Sequence, residues 1–193
     1  MEREVILTGI GGQGIQIAAQ ILAQAATLED RYVLYLGTYG GTMRGGNTDS
    51  TVIVADAPIT APPIVSRTWS ALAMHHAFWE PLRGKVRPGG VVVVNATLFT
   101  APIGRDDVRV FPVPATQIAT DQGTALAAAM VLIGAYAGLT GLVCVESLVE
   151  AMRQTLPPYR RQHADANERA LRAGCEAVPS DIAPAWVTHE AAA

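Results

Sequence analysis

Apolar and polar positions along the chain fall into two periods. Continuous β-branched runs at Glu4-Val5-Ile6-Leu7-Thr8, Thr51-Val52-Ile53-Val54-Ala55 and Val91-Val92-Val93-Val94-Asn95 read as strands. The valine run is what a strand covered on both faces looks like. Tyr32-Val33-Leu34-Tyr35-Leu36 reads as a strand running into a loop, Ser70-Ala71-Leu72-Ala73-Met74 as a short buried strand, and Val108-Arg109-Val110-Phe111-Pro112 as a last one. Helical spacing appears at Ile15, Ala18, Ala19, Leu22 and Ala26. Residues 77–83 suit a short helix, and longer helices are expected over residues 122–138, 146–155 and 159–176. Arg87-Pro88-Gly89-Gly90 reads as a turn, and Pro58, Pro62 and Pro63 make residues 57–63 an extended connector. Strands alternating with helices predict a doubly wound α/β domain. Its sheet is mostly parallel, helices cover both faces in a Rossmann-like way, and Val5 to Thr8 lie in its centre. The domain is expected over residues 1–178, with residues 179–193 as a loosely held C-terminal arm.

Composition adds a partner to this picture. Of 193 residues, 50% are apolar and only 16% charged. That balance implies apolar surface hidden against other chains, so a hetero-oligomer burying well above roughly 1,000 Å² is expected. A net charge of −3 gives no electrostatic case for nucleic acid. Met1-Glu2-Arg3-Glu4 leads straight into a strand without an apolar signal core, and Cys144 and Cys175 lie far apart, outside any CxxC. Reduced thiols in a cytoplasm are expected, and no metal site built by this chain alone. Residues 122–145 carry no charge and are long enough for a bilayer. Their Ala and Gly content, the Gly134–Gly138 pair and the stop at Gly138-Leu139-Thr140-Gly141 favour a close-packed buried helix over a membrane span.

Candidate chemistry sits in two glycine-rich loops. Gly9-Ile10-Gly11-Gly12-Gln13-Gly14 follows the first strand and opens the first helix. Strand, glycine turn and helix together leave backbone N–H groups at a helix N-terminus, which suits an anion. A dinucleotide site also needs an acid at the end of the second strand, about 20 residues on. Here that strand ends in Gly37-Thr38-Tyr39-Gly40. Two readings therefore stay open: an anion site, or glycines that only shape the first crossover. The second loop, Gly37-Thr38-Tyr39-Gly40-Gly41-Thr42-Met43-Arg44-Gly45-Gly46-Asn47, leaves a strand's carboxyl end, the edge where open parallel sheets hold ligands. Arg44 offers a planar fork suited to phosphate or carboxylate, or else it pins the loop to Asp49 or Asp56. Tyr39 and Met43 line a ligand wall or fill an interface. His75 and His76, adjacent after a strand, point apart and read as structural; His163 and Asp165 read as a solvated helix face. No nucleophile–base set, zinc helix or close carboxylate pair is present, so no catalytic residue is assigned.

These loops in order resemble the gamma subunit (or gamma domain) of the 2-oxoacid:ferredoxin oxidoreductase family, of pyruvate, 2-ketoisovalerate and 2-oxoglutarate type. Ala18-Ala19-Gln20-Ile21-Leu22-Ala23, Tyr39-Gly40-x-x-Met43-Arg44-Gly45-Gly46, Asp56-Ala57-Pro58-Ile59 and residues 166–174 extend the likeness over nearly the whole chain. The resemblance implies a complex that oxidatively decarboxylates a 2-oxoacid to an acyl-CoA. This gamma part would serve assembly and the coenzyme A side of the active site. Thiamine diphosphate, Mg2+ and [4Fe-4S] clusters would sit in alpha, beta and ferredoxin-like delta partners, in keeping with the absence here of a GDG…N motif or cysteine cluster. Carried over, Gly9, Gly11, Gly12, Gln13, Gly14, Tyr39, Met43, Arg44, Gly45 and Gly46 are the contact candidates. One departure stands out: the family's Ser-Tyr-Gly-Pro-Glu is here Thr38-Tyr39-Gly40-Gly41-Thr42. That resembles the phenylglyoxylate branch, which forms benzoyl-CoA and passes electrons to NAD through a further FAD subunit. The competing expectation is a stand-alone nucleotide-binding α/β reductase.

Overall fold

A computed structural model describes residues 1–39, 45–60 and 64–186. Its strands are β1 (Glu2–Ile10), β2 (Tyr32–Tyr39), β3 (Asn47–Ala55), β4 (Thr68–Ala73), β5 (Val86–Asn95) and β6 (Arg109–Val113). Its helices are α1 (Ile15–Leu28), α2 (Glu80–Arg83), α3 (Ala115–Asp121), α4 (Ala128–Thr140), α5 (Val145–Thr155) and α6 (Ala164–Glu176). Short 3-10 turns cover His76–Phe78, Ala125–Ala127 and Pro158–His163. The strands form one six-stranded sheet in the order β2-β3-β1-β4-β5-β6.

The sheet is mixed. β1, β4, β5 and β6 pair in parallel, while β3 runs antiparallel to both β1 and β2. The second glycine loop is thus the tip of a β2–β3 hairpin inserted beside β1. Because β2 runs the same way as β1, that tip and the first glycine turn share one sheet edge, as expected.

Side chains alternate across the sheet. Val5, Leu7, Val52, Val54, Val91 and Val93 face the larger core under α1, α4, α5 and α6. Ile6, Ala71, Ala73, Val92 and Val94 face a smaller core closed by Trp79, Leu82 and Phe99 around α2. Helices therefore cover both faces, unequally, with β1 third in the sheet.

The uncharged stretch is a buried helix. Twelve of the thirteen residues of α4 are buried, and no helix among the described residues is long and apolar enough to cross a membrane. The helix fits because it has no side chain where it meets α6. A Cβ at Gly134 would lie 2.1 Å from the Leu171 carbonyl oxygen, and one at Gly174 2.1 Å from that of Val131. At an ordinary contact distance these helices would have to separate.

Four expectations shift. Arg87-Pro88-Gly89-Gly90 is not a free turn but lies within β5, where the register against β4 slips. β3 begins at Asn47, four residues before the apolar run, because Thr48 and Asp49 continue the ladder with β1 and β2. α3 was not foreseen: it follows Pro114 with no side-chain cap. The described part of the tail is held rather than loose. Asp181, Ala183 and Ala185 donate backbone N–H groups to the carbonyls of Gly138, Leu139 and Thr140. Ala183 and Ala185 are fully buried, and the Arg31 guanidinium stacks 4.1 Å above Trp186.

Candidate functional site

The first glycine turn is built by its own backbone. The Ile10 N–H donates to Gln13 Oε1 at 2.8 Å, and the Gln13 N–H donates to the Ile10 carbonyl at 3.1 Å. A Cβ at Gly9 would meet Gln13 Oε1 at 2.7 Å, so this return of Gln13 needs the glycine. Gly12 and Gly14 have φ of +102° and +80°, where other residues are strained. Gly14 caps α1 without a side-chain bond, and no acid stands in the first turn. Neither the cap nor the first turn of α1 therefore compensates its positive end.

The second loop returns onto this turn. Gly11 N–H donates to the Gly46 carbonyl at 2.8 Å. Behind that link Asp49 is held from two sides, by Thr8 Oγ1 at 2.6 Å and Asn47 Nδ2 at 2.9 Å. The same edge collects the end of β4 through Met74 N–H to the Thr8 carbonyl at 2.9 Å. His75 and His76 follow, their rings 4.4 Å apart. His75 Nδ1 accepts from Ala77 N–H at 3.1 Å, a cap that uses the neutral ring. Burial, and then the neighbouring His76, pull the His75 pKa below its ordinary value.

On the α1 face of this edge, two buried polar atoms have no hydrogen-bond partner among the described residues: Gln16 Nε2 and Ser50 Oγ. They flank Gly37. Ser50 is its ladder partner on β3, and a Cβ at Gly37 would lie 3.6 Å from Gln16 Nε2 and 2.5 Å from the Tyr35 hydroxyl. Buried polar atoms are rarely left bare. The chemistry of this corner fits a guest that accepts and donates hydrogen bonds beside the glycine loops.

The structure thus brings Gly9, Gly11, Gly12, Gln13 and Gly14 together with Gly45 and Gly46. Met43 and Arg44 lie outside the described residues, as does the side chain of Tyr39. Asp56, once a candidate partner for Arg44, pairs with the Met1 amino group. Gln16 and Ser50 went unnoticed in the sequence. The one available signal was Ser50 itself, a polar residue on the inward period shared with Val52 and Val54. Cys144 is exposed at the start of α5. Burial raises the Cys175 thiol above its usual range, making it a poorer ligand. Among the described residues no three His, Cys, Asp or Glu side chains cluster to hold a metal.

Comparison with known proteins adds a family and a fold. A family model described as pyruvate ferredoxin/flavodoxin oxidoreductase matches residues 4–177. The 2-oxoglutarate synthase subunit KorC of Methanocaldococcus jannaschii is 32% identical over 160 residues, which is 81% of this chain and 85% of that protein. The crystal structure of a keto/oxoacid ferredoxin oxidoreductase gamma subunit from Geobacter sulfurreducens superposes with a TM-score of 0.76 at 27% identity, covering 90% of this chain and 96% of that one. The fold alone recurs, at a TM-score of 0.81 and 19% identity, in a 2-oxoglutarate:ferredoxin oxidoreductase from Magnetococcus marinus. There it spans 93% of this chain but 32% of the longer one, whose structure holds 2-oxoglutarate, coenzyme A and succinyl-CoA.

Proposed function

The chain belongs to the pyruvate ferredoxin/flavodoxin oxidoreductase family, and from that premise we propose that it is the subunit that closes the coenzyme A side of a 2-oxoacid oxidoreductase complex. Its reaction is the oxidative decarboxylation of a 2-oxoacid to an acyl-CoA. Thiamine diphosphate with Mg2+ and the [4Fe-4S] clusters reside in alpha, beta and ferredoxin-like delta subunits, and the complex works in the cytoplasm. The oxoacid-oxidoreductase domain spans residues 1–178. This chain carries no catalytic side chain; it shapes a crevice and holds a substrate arm.

The observation that carries this reading is the bond from Gly11 N–H to the Gly46 carbonyl. It joins the two glycine loops at one edge of the sheet, beside the start of α1, which has no side-chain cap, and beside Gln16 and Ser50, whose Nε2 and Oγ have no partner among the described residues. Coenzyme A offers what such a corner takes: phosphates for the cationic end of a helix and amides for buried donors and acceptors. In this reading Arg44, in the same loop, supplies the cation for a phosphate, and Tyr39 and Met43 line the pantetheine arm. A stand-alone nucleotide-binding reductase has less support. β2 ends in Gly37, Thr38 and Tyr39, with no acid to hold a ribose.

We assign phenylglyoxylate as the oxoacid, giving benzoyl-CoA, with electrons leaving through an FAD subunit to NAD. Gly41 and Thr42, in place of the family's proline and acid, support that choice. The test is co-expression with the partner subunits and assay of CoA-dependent oxidation of phenylglyoxylate, pyruvate, 2-oxoisovalerate and 2-oxoglutarate. Faster turnover of phenylglyoxylate with NAD as acceptor supports the assignment. Activity confined to an aliphatic oxoacid with ferredoxin removes the substrate while leaving the subunit role intact. Full activity of this chain without partners overturns the subunit role.

A further inference from the structure

A cavity of about 420 Å³ opens beside Gly12 and Gly14. The glycine turn, the first two turns of α1, the Ala125–Ala127 turn, the start of α4, the chain from Leu156 through the Pro158–His163 turn, and the start of α6 meet there. Its floor is apolar, from Ile17, Ile21, Met130 and Leu156. Ile21, Met130 and Leu156 are buried among themselves and the core behind them. The rim is polar and carries no Asp or Glu. Arg160, Gln162, His163 and Asn167 line it. Among the described residues, Arg160 forms no ion pair, and neither its guanidinium nor the Asn167 amide is engaged in a hydrogen bond. Leu126 and Tyr159 stand at the mouth, 83% and 72% exposed.

A cavity of this size with an apolar floor and few convergent polar groups has the build of a small-molecule site. The rim sets the charge of the guest. Arg160 is the one Arg or Lys among its lining residues, so a monoanion is matched more closely than a dianionic phosphate. A guanidinium fork beside an amide suits a carboxylate, which takes two parallel hydrogen bonds. We propose that this cavity binds a small amphipathic carboxylate, a branched-chain or aryl monocarboxylic acid. Its apolar body lies on Ile17, Ile21, Met130 and Leu156, and its carboxylate meets Arg160 and Asn167. The site shares Gly12 and Gly14 with the glycine turn of the coenzyme A corner, but Gln16 and Ser50 are not part of its lining, and Arg160 and Asn167 belong to it alone.

The test uses the assembled complex, with phenylacetate, isovalerate and benzoate as probes, none of which is a 2-oxoacid. Amide exchange across residues 158–167 and 124–130 is followed as each acid is titrated. Saturable slowing there, with dissociation constants in the millimolar range or tighter, is expected. Phenylacetamide, the neutral isostere, is expected to bind at least about tenfold more weakly. Arg160→Ala should bring acid and amide to similar affinity, while Arg161→Ala, outside the cavity lining, should leave the acid unaffected. Arg160 is exposed, so its removal spares the fold, and an unchanged melting temperature checks this. Three results overturn the proposal. They are no slowing at saturating acid, equal binding of acid and amide to the unaltered complex, and full exchange protection of residues 158–167 before any acid is added. The last would hand the cavity to a partner subunit's side chain.

Discussion

Gly11 and Gly46 are joined by a backbone hydrogen bond of 2.8 Å that fastens the tip of the β2–β3 hairpin onto the turn after β1. Neither residue contributes a side chain, so the corner's shape is a backbone property. Its stability should then follow the glycine conformations around it. Gly14 has φ +80°, and a Cβ there would touch Ala129 Cβ at 3.4 Å. Gly14→Ala is expected to cost about 1–2 kcal/mol, mostly left-handed backbone strain rather than a clash. Denaturant unfolding of the purified chain or complex measures it.

The α4–α6 crossing gives a steeper expectation. Gly134→Ala puts a methyl 2.1 Å from the Leu171 carbonyl oxygen, a backbone atom that cannot rotate away. The helices must move apart, at a cost of about 3 kcal/mol, the upper end for an overpacked core. Gly84→Ala, with nothing within 4 Å of the added methyl, is the control and should change stability by less than about 1 kcal/mol. Equal melting of the two variants would contradict the crossing.

Ser50→Ala separates packing from ligand binding. Its hydroxyl is buried and has no partner among the described residues, so the alanine chain should be as stable as the parent or slightly more so. If the hydroxyl serves coenzyme A, the apparent KM for CoA rises by about threefold to tenfold in the complex. A destabilised chain with unchanged KM would give Ser50 a purely structural role.

Acid should loosen the carboxyl edge through His75. Its folded-state pKa lies below the ordinary value, because burial first and then His76 disfavour the imidazolium. Between the two values the unfolded chain binds more protons than the folded one. His75 therefore contributes stability above about pH 6.5 that is lost as pH falls from there through the lowered value. In His75→Asn, which keeps a capping acceptor for Ala77 N–H, the unfolding midpoint should fall less over that window. Parallel pH profiles for the two proteins would contradict this.

Much of the fold was legible because its signals were local. The β-branched runs of β1 and β5 and the small residues of α4 announce burial without reference to the rest of the chain. The hairpin was not legible. Asn47, Thr48 and Asp49 look like loop until Thr8 and Asn47 are seen to satisfy the Asp49 carboxylate from neighbouring positions in the sheet. The tail reads as loose because its prolines and terminal alanines give no sign of backbone bonds to Gly138, Leu139 and Thr140, 43 or more residues away. At the site, the two glycine loops could be read, since each carries its own conformational demand. Ser50 left one faint sign, a polar residue on the inward period of Val52 and Val54; Gln16 and the cavity under Arg160 left none, because nothing but tertiary packing brings those residues together.

The central claim, that this chain holds coenzyme A through the joined loops, is tested most directly at Arg44. Steady-state kinetics of the assembled complex, with CoA varied at saturating oxoacid, should show the apparent KM for CoA rising by about tenfold to a hundredfold in Arg44→Ala, the loss of a charge-assisted bond. Arg44→Lys, which keeps the charge and loses the fork, should fall between Ala and the parent. Assembly by gel filtration should be unchanged in both. An intact Arg44→Ala complex with the parental KM for CoA would contradict the account.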